Sequence, residues 1–360
     1  MKSEAGNREP ETRNQKPETR NPKPETRNQK PETREKRGRG LSLLSGGLDS
    51  RLAVCVLREQ GLDVEGVVFT SPFFKMDTAR EAALQLNVPL HVVDFTRDIL
   101  DLLEHPPHGF GTALNPCIDC RARMIQRAGE MMVQGGFDFV ATGEVLGQRP
   151  MSQNRHSLAI TERETALGGR LLRPLSALLL EPTVPEQTGI VDRGRLLGLS
   201  GRTRKPQREL AQRYGLTRYP APAGGCLLTE KGFCRKLSDL HANEGLEDER
   251  LVWLLLHGRH FRLPGGGKCV VGRDAADNAA LKSLHVTSDV LLHTVDVPGP
   301  TVLLPGGAGD ADVSLATSIC AAYADHGTLE SVTVRVIRGD AAEERRMAPL
   351  AREQAQAWML

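Results

Sequence analysis

From residue 41 to residue 142 the chain alternates short β-rich apolar runs with helical stretches, and this alternation most restricts the folds open to it. Leu41-Ser-Leu-Leu44 is a compact apolar run, and residues 51–60 follow as a helix carrying Leu52, Val54, Cys55, Val56 and Leu57 until Gly61 stops it. Residues 64–69, 88–95 and 137–142 read as further strands, with helices over 77–87 and 121–133 between them. Strands separated by helices imply a parallel sheet covered on both faces, an α/β architecture. The stretch 182–204 is broken by Pro and Gly, after which 207–214 reads as a helix. Beyond Leu240 the texture changes. Residues 252–256, 268–272, 290–297, 301–304 and 332–337 read as strands and 313–324 as a helix, predicting a second, smaller α+β domain over 241–360.

The fold is expected to begin near Gly40. Upstream lie three near-identical heptapeptides, 14–20, 21–27 and 28–34, with prolines at 10, 17, 24 and 31 among others. A heptad period ordinarily suggests a coiled coil, but these units hold no Leu, Ile, Val, Phe or Met and at least one Pro each, so neither a seam nor a continuous helix can form. Residues 1–39 are therefore expected to be a disordered leader, and 40–240 the α/β domain. Charge divides the same way: residues 1–40 hold 12 Lys and Arg against 7 Asp and Glu, whereas the whole chain of 360 residues carries only +2. Any polyanion contact by the slightly acidic remainder has to come from local patches. No apolar run approaches the ~20 residues of a membrane span, and the polar N-terminus lacks a secretory core. A cytoplasmic protein with no membrane partner is expected. Seven cysteines in such a chain argue for free thiols, metal ligation or redox chemistry over a disulfide framework.

Ser45-Gly46-Gly47-Leu48-Asp49-Ser50 occupies the first strand-to-helix junction, where backbone N–H groups and a helix N-terminus can gather a phosphate. Two glycines remove Cβ atoms that would block close approach. The hydroxyls of Ser45 and Ser50 can donate to phosphate oxygens, and Asp49 can help hold Mg²⁺ or cap the helix. The Gly-Lys-Ser/Thr ending of a Walker loop is absent. Ser-Gly-Gly-x-Asp-Ser in a first βα loop resembles the fingerprint of the N-type ATP pyrophosphatases, the PP-loop family. That resemblance implies an adenine-nucleotide α-hydrolase-like fold, ATP cleavage between the α- and β-phosphates, and activation of the substrate as an adenylate. Ala141-Thr142-Gly143-Glu144 resembles the Ala-Thr-Gly-His stretch that lines the nucleotide pocket of the tRNA 2-thiouridylases, with Gly143 matching and Glu144 in place of the His.

Asn115-Pro-Cys117-Ile-Asp-Cys120 enters a helix, a spacing that lets both thiolates face one metal centre while the helix N-terminus lowers their pKa. Alone, the pair fits zinc, a redox dithiol or an iron–sulfur cluster. Cys226, in Pro222-Ala-Gly-Gly-Cys226-Leu-Leu-Thr, adds a third thiol, an incomplete set for zinc but a complete one for a [4Fe–4S] cluster with one iron open. Over residues 41–235 the order of motifs resembles the tRNA thiouridine synthetases. Cys120 and Cys226 match the two catalytic cysteines of the 2-thiouridylases, and Cys117, in place of an Asp, moves the chain toward the iron–sulfur-dependent thiouridine synthetases. The resemblance implies cluster ligation by Cys117, Cys120 and Cys226; the alternative is a persulfide on Cys226 resolved by Cys120. Cys55, Cys234, Cys269 and Cys320 lack partners at ligand spacing and are expected to be structural. His105 and His108, flanking Pro106-Pro107, are expected to serve the loop.

Residues 245–340, through Val270-Val-Gly-Arg273-Asp-Ala-Ala-Asp-Asn278, resemble the RNA-binding domain associated with NFACT proteins. Arg202-Thr-Arg-Lys-Pro-Gln-Arg208 is the densest basic cluster of the folded part and can contact phosphates. Aromatic content of 4% suits recognition of a folded tRNA by shape better than stacking on single strands. No rhodanese-like segment is evident. The expected activity is an ATP-dependent tRNA sulfurtransferase that replaces a uridine carbonyl oxygen with sulfur, 4-thiouridine ahead of 2-thiouridine. Its expected cofactors are ATP, Mg²⁺ and the cluster; its expected partners are tRNA, sulfide or a sulfur-donor protein, and a second copy in a homodimer. Two alternatives are a PP-loop enzyme that thiolates or amidates a small molecule, and a noncatalytic RNA-binding protein that keeps the nucleotide loop.

Overall fold

A computed structural model describes residues 37–221 and 225–360 of the chain. The disordered leader expected over 1–39 lies outside the described residues except for 37–39. In chain order the first part forms β1 (Arg39–Leu43), α1 (Leu48–Glu59), β2 (Asp63–Thr70), α2 (Asp77–Leu86), β3 (Leu90–Asp94), α3 (Thr96–Glu104), α4 (Cys117–Gly135), β4 (Phe139–Ala141), α5 (Arg155–Thr165) and β5 (Leu171–Leu172). The five strands pair in parallel in the order β3-β2-β1-β4-β5, as the alternating pattern requires. Both faces of the sheet are buried. Leu41, Val67, Phe69 and Val140 pack with Phe95, Ile99 and Ile125 on one side, and Val64, Phe139 and Ala141 pack with Leu52, Val56 and Leu57 of α1 on the other. This two-sided burial is what makes parallel strands read as nearly continuous apolar runs.

The chain continues through α6 (Val184–Gln187), α7 (Lys205–Arg213) and α8 (Lys231–Asn243), then α9 (Glu249–Leu254), β6 (Arg259–Arg262), β7 (Lys268–Val271), α10 (Ala275–Leu284), β8 (Val290–Thr294), β9 (Thr301–Leu304), α11 (Asp310–Ala322), β10 (Val332–Arg338), β11 (Ala341–Met347) and α12 (Arg352–Gln356). The six later strands form an antiparallel sheet, β11-β10-β8-β9-β7-β6, with α11 packed on it through Val313, Ala316 and Ile319. One expected strand is corrected: residues 252–256 belong largely to helix α9 and the turn after it. Asp248 caps that helix by accepting from the Arg250 N–H at 2.9 Å, and Leu251, Val252, Leu254 and Leu255 are buried while Trp253 faces out, a helical rather than alternating pattern. Among the described residues no helix is long and apolar enough to cross a membrane.

Helix α8 is clamped to β6 and β7 by charge. Arg262 donates to both oxygens of Asp239 at 3.0 and 2.6 Å and to Glu244 at 2.6 and 2.9 Å, and the Lys268 ammonium, whose side chain is 1% exposed, reaches Asp239 at 3.0 Å. Burial pushes the Asp239 carboxyl up, but the hydrogen bonds from Arg262 and Lys268 outweigh it and hold the group below its ordinary value. Removing Asp239 strands a buried ammonium. Asp239→Ala is expected to cost about 3–5 kcal/mol in denaturant unfolding, with much of the loss restored in the Asp239→Ala/Lys268→Met pair. Because the folded pKa is depressed, this contribution is complete above about pH 4 and fades as pH falls through the folded value, so Asp239→Ala should flatten the acid limb of the stability curve.

Candidate active site

The turn after β1 is built so that its open side faces a cavity. Gly46 has φ +81°, and a Cβ there would come within 2.2 Å of the Thr78 carbonyl group, so only glycine fits. The buried Arg51 guanidinium donates to the Gly46 carbonyl at 2.9 Å and to the Thr78 carbonyl at 3.3 Å, and also bonds Gln85. Since a trans peptide points its C=O and N–H oppositely, this leaves the Gly47 N–H directed away from Arg51. Gly47 has an ordinary φ of −69°, and an added Cβ would meet nothing closer than the Ser45 hydroxyl at 3.6 Å. Neither strain nor packing of the protein demands glycine at 47; the space beside it belongs to the cavity it lines. Gly143, just past β4, would drive a Cβ to 2.5 Å from the Ser50 N–H nitrogen, which ties the end of β4 tightly to this turn. The Ser50 hydroxyl donates to the Gly47 carbonyl at 2.9 Å and lies 3.4 Å from the Ser45 hydroxyl.

Asp49 is not the helix cap. Gly47 occupies that position with no side-chain cap bond, while Asp49 Oδ2 accepts from Gln148 at 2.6 Å and pairs with Arg204 at 3.4 Å. Gln148 is in turn held by Gln207 at 2.7 Å. Asp49 Oδ1 is buried with no hydrogen-bond partner among the described residues, an orphan suited to a cation. Leu48 lines the same cavity and buries its side chain at the start of α1.

That cavity, about 470 Å³, also takes in Cys117, Cys120 and Cys226. Helix α4 starts four residues earlier than its apolar pattern suggests, with Pro116 at its N-cap, so Cys117 and Cys120 share the first turn. Asn115 donates its amide to Cys117 Sγ at 3.1 Å. Cys226 is held from the other side: the Leu227 N–H donates to the Phe73 carbonyl at 3.0 Å, and Phe233 of α8 meets Phe73 edge-on at 5.9 Å. The expected lowering of thiol pKa by the helix N-terminus does not survive the surroundings of Cys120. Burial, then the neighbouring Cys226, push it up to about 12, and burial pushes Cys226 up to about 11. Desolvation outweighs the dipole here. The three sulfurs are not gathered within 4.8 Å of one another, wider than the ~3.8 Å sulfur separations of a single tetrahedral zinc.

Around this site the structure supplies partners that the sequence did not indicate. Glu144 is fully buried, accepting from Arg173 at 3.0 Å and Thr142 at 3.0 Å and lying 3.4 Å from Arg121; burial raises its pKa, but the two arginines outweigh that and keep it ionised. Arg121, Arg149 and Arg204 line the cavity. Of the basic cluster 202–208, Arg204 turns inward while Arg202, Lys205 and Arg208 are exposed. His108 serves its loop, as expected: its ring bridges Asp119 at 2.6 Å and Glu164 at 3.2 Å, pinning the segment before Cys117 to α4 and α5. Cys269 and Cys320 sit in the core of the second sheet, and buried Cys234 donates to the Leu228 carbonyl at 3.2 Å.

Two family models match separate stretches of the chain. Residues 35–181 match the family described as "Thiamine biosynthesis protein (ThiI)", and residues 258–359 match the "NFACT protein RNA binding domain". A "Probable tRNA sulfurtransferase" of Caldanaerobacter subterraneus is 34% identical over 147 residues, covering 38% of this chain and 37% of that protein. One from a Thermoanaerobacter species is 30% identical over 164 residues, covering 43% and 39%. The chain thus spans well under half the length of these curated relatives. A crystal structure of a 4-thiouridine synthetase–RNA complex with bound ATP superposes with a TM-score of 0.33 and 22% identity, covering 49% of this chain and 50% of that one.

The two loop glycines give opposite outcomes. Gly46→Ala is expected to lower thermal stability because the left-handed turn and the Thr78 contact both resist a methyl group. Gly47→Ala should leave stability within about 0.5 kcal/mol of the parent while weakening triphosphate-nucleotide binding at least about tenfold, read by calorimetric titration.

Proposed function

We propose that this chain, which joins a ThiI-type PP-loop segment to an NFACT-type RNA-binding segment, is an ATP-dependent tRNA sulfurtransferase that converts a uridine carbonyl to a thiocarbonyl, with 4-thiouridine as product. The observation that carries the reading is the single cavity into which the Ser45–Ser50 loop and three cysteines open. A reaction that needs phosphate chemistry on a carbonyl oxygen and sulfur chemistry on its carbon needs both in one place.

The chemistry follows from the acceptor. A uridine carbonyl is a poor electrophile and oxide a hopeless leaving group. Attack of the carbonyl oxygen on the α-phosphorus of ATP breaks its bond to pyrophosphate and turns that oxygen into part of AMP, with loss of the ring N3 proton. Hydrosulfide then adds to the carbon, AMP departs with the former carbonyl oxygen, and the proton brought by hydrosulfide restores N3–H, so no electrons are gained or lost. The backbone at Gly46 and Gly47 would receive the phosphates, the Ser45 and Ser50 hydroxyls would donate to them, and Gly143 keeps the turn in place. Asp49 would hold Mg²⁺ through its unpaired Oδ1. Cys117, Cys120 and Cys226 would ligate a [4Fe–4S] cluster, which when bound supplies an open iron able to carry sulfide. The opening of all three cysteines into one cavity supports this assignment. Residues 258–359 would hold the tRNA, with sulfide or a donor protein as sulfur source.

The 4-thio position is preferred because the arrangement of motifs resembles the 4-thiouridine enzymes more than the anticodon 2-thiouridylases. Anaerobically reconstituted protein incubated with Mg-ATP, sulfide and tRNA from a thiolation-deficient host should yield 4-thiouridine on mass spectrometry of digested RNA. Cys117→Ala should lose both bound iron and product. Full activity of that variant without iron would overturn the cluster assignment, and turnover of a small molecule without RNA would overturn the acceptor.

A further inference from the structure

Two buried glutamines stand behind Asp49. Gln148 lies in the segment after β4, its backbone N–H donating to the Val145 carbonyl at 3.1 Å. Gln207 lies in the first turn of α7, whose buried face continues through Ala211 into the apolar cluster that holds Leu52 and Val56 of α1. Gln207 Nε2 donates to Gln148 Oε1 at 2.7 Å, and Gln148 Nε2 donates to Asp49 Oδ2 at 2.6 Å. Gln148 is 8% exposed and Gln207 1%. Burying an amide is costly unless it is fully hydrogen-bonded, and here it is not: Gln207 Oε1 has no partner among the described residues. An apolar side chain of similar size would fill the same space without that cost, so packing alone does not account for a glutamine at 207.

The direction of these bonds is set at one end. The Asp49 carboxylate, paired with Arg204 at 3.4 Å, only accepts, so Gln148 turns its NH₂ toward it. That leaves the Gln148 carbonyl facing α7, where Gln207 supplies the donor it needs. A flipped Gln148 would set oxygen against carboxylate at one end and NH₂ against NH₂ at the other, so the pair holds a single arrangement. The consequence falls on Asp49. Its Oδ2 is taken by Gln148 and Arg204, which leaves the buried Oδ1 as its one free acceptor. We infer that Gln148 and Gln207 are positioning residues, an amide relay that presents Asp49 as a one-oxygen ligand to the divalent cation of the nucleotide. This rests on the proposal above that Asp49 holds Mg²⁺. A single carboxylate oxygen suits Mg²⁺, which usually takes one or two carboxylates together with substrate phosphates and waters, and it withholds the two-oxygen grip that Ca²⁺ often uses.

The test reads the cation's share of nucleotide binding and needs neither RNA nor turnover. A nonhydrolysable ATP analogue is titrated calorimetrically into the full chain, once with Mg²⁺ and once in EDTA, and the ratio of the two dissociation constants measures what the cation adds. Thermal melts verify the fold of each variant. Gln148→Met is expected to cut that ratio about tenfold or more, the usual loss when a group that orients a metal ligand is removed, and Gln207→Met about threefold or more, since it acts one bond further away. Affinity in EDTA should match the parent in both. Because Gln207 acts through Gln148, the double variant should be no worse than Gln148→Met alone. An equal loss with and without Mg²⁺ would mark a merely structural role and overturn the relay, as would losses that multiply in the double variant. A Mg²⁺-dependent parent whose variants keep the full dependence overturns the relay alone. A parent that binds the analogue equally well in EDTA overturns Asp49 as the cation's ligand, and the relay with it.

Discussion

The site depends on where β1 sits. With β2 and β3 laid down on one side of it and β4 and β5 on the other, the strand order departs from β1 in both directions, and the carboxyl ends of β1 and β4 open a crevice at that switch point. The turn after β1 carries the glycines; the segment after β4 carries Gly143, Glu144, Gln148 and Arg149. The crevice stays tight because Gly143 lies against the Ser50 backbone with no room for a side chain. A buried guanidinium, Arg51, then holds the turn from beneath. These are constraints on the backbone, and they are in place before any ligand enters.

Charge is distributed in the cavity by competition between burial and pairing. Glu144 stays ionised because Arg173 and Arg121 offset its desolvation, whereas Cys120 and Cys226 have no cation strong enough to do the same and are driven toward the neutral thiol. The cluster proposed above would supply the missing positive charge, since coordination deprotonates a thiol outright. The protein therefore presents two regions of different character: an arginine-rich region and the half-buried cysteines 117, 120 and 226.

The parallel sheet was legible because its strands are apolar on both faces and its helices carry long periodic stripes, and the glycine turn because its residues are adjacent in sequence. Cys117, Cys120 and Cys226 could be grouped by motif, and they do line one cavity, although the sequence distance between Cys120 and Cys226 says nothing of the Phe73 contact that brings the latter in. Arg51 and Arg121 were not legible. Each is one polar residue whose role is set by a partner far along the chain or by the cavity itself. The misread strand at 252–256 failed for a different reason: a short apolar run has too few residues to separate periods of 2 and 3.6, and the cap at Asp248 decides it. β5, two residues long, and β11, largely exposed, carry too little pattern to be read at all.

The central claim is that nucleotide activation and sulfur transfer share one cavity. A crystal structure of the full chain with Mg²⁺ and a nonhydrolysable ATP analogue tests it most directly. The account predicts the outer phosphates on residues 45–50, Mg²⁺ on Asp49, and the α-phosphate turned toward the wall of Cys117, Cys120 and Cys226. A nucleotide bound elsewhere, or bound on the loop with its α-phosphate turned away from the cysteines, would contradict it.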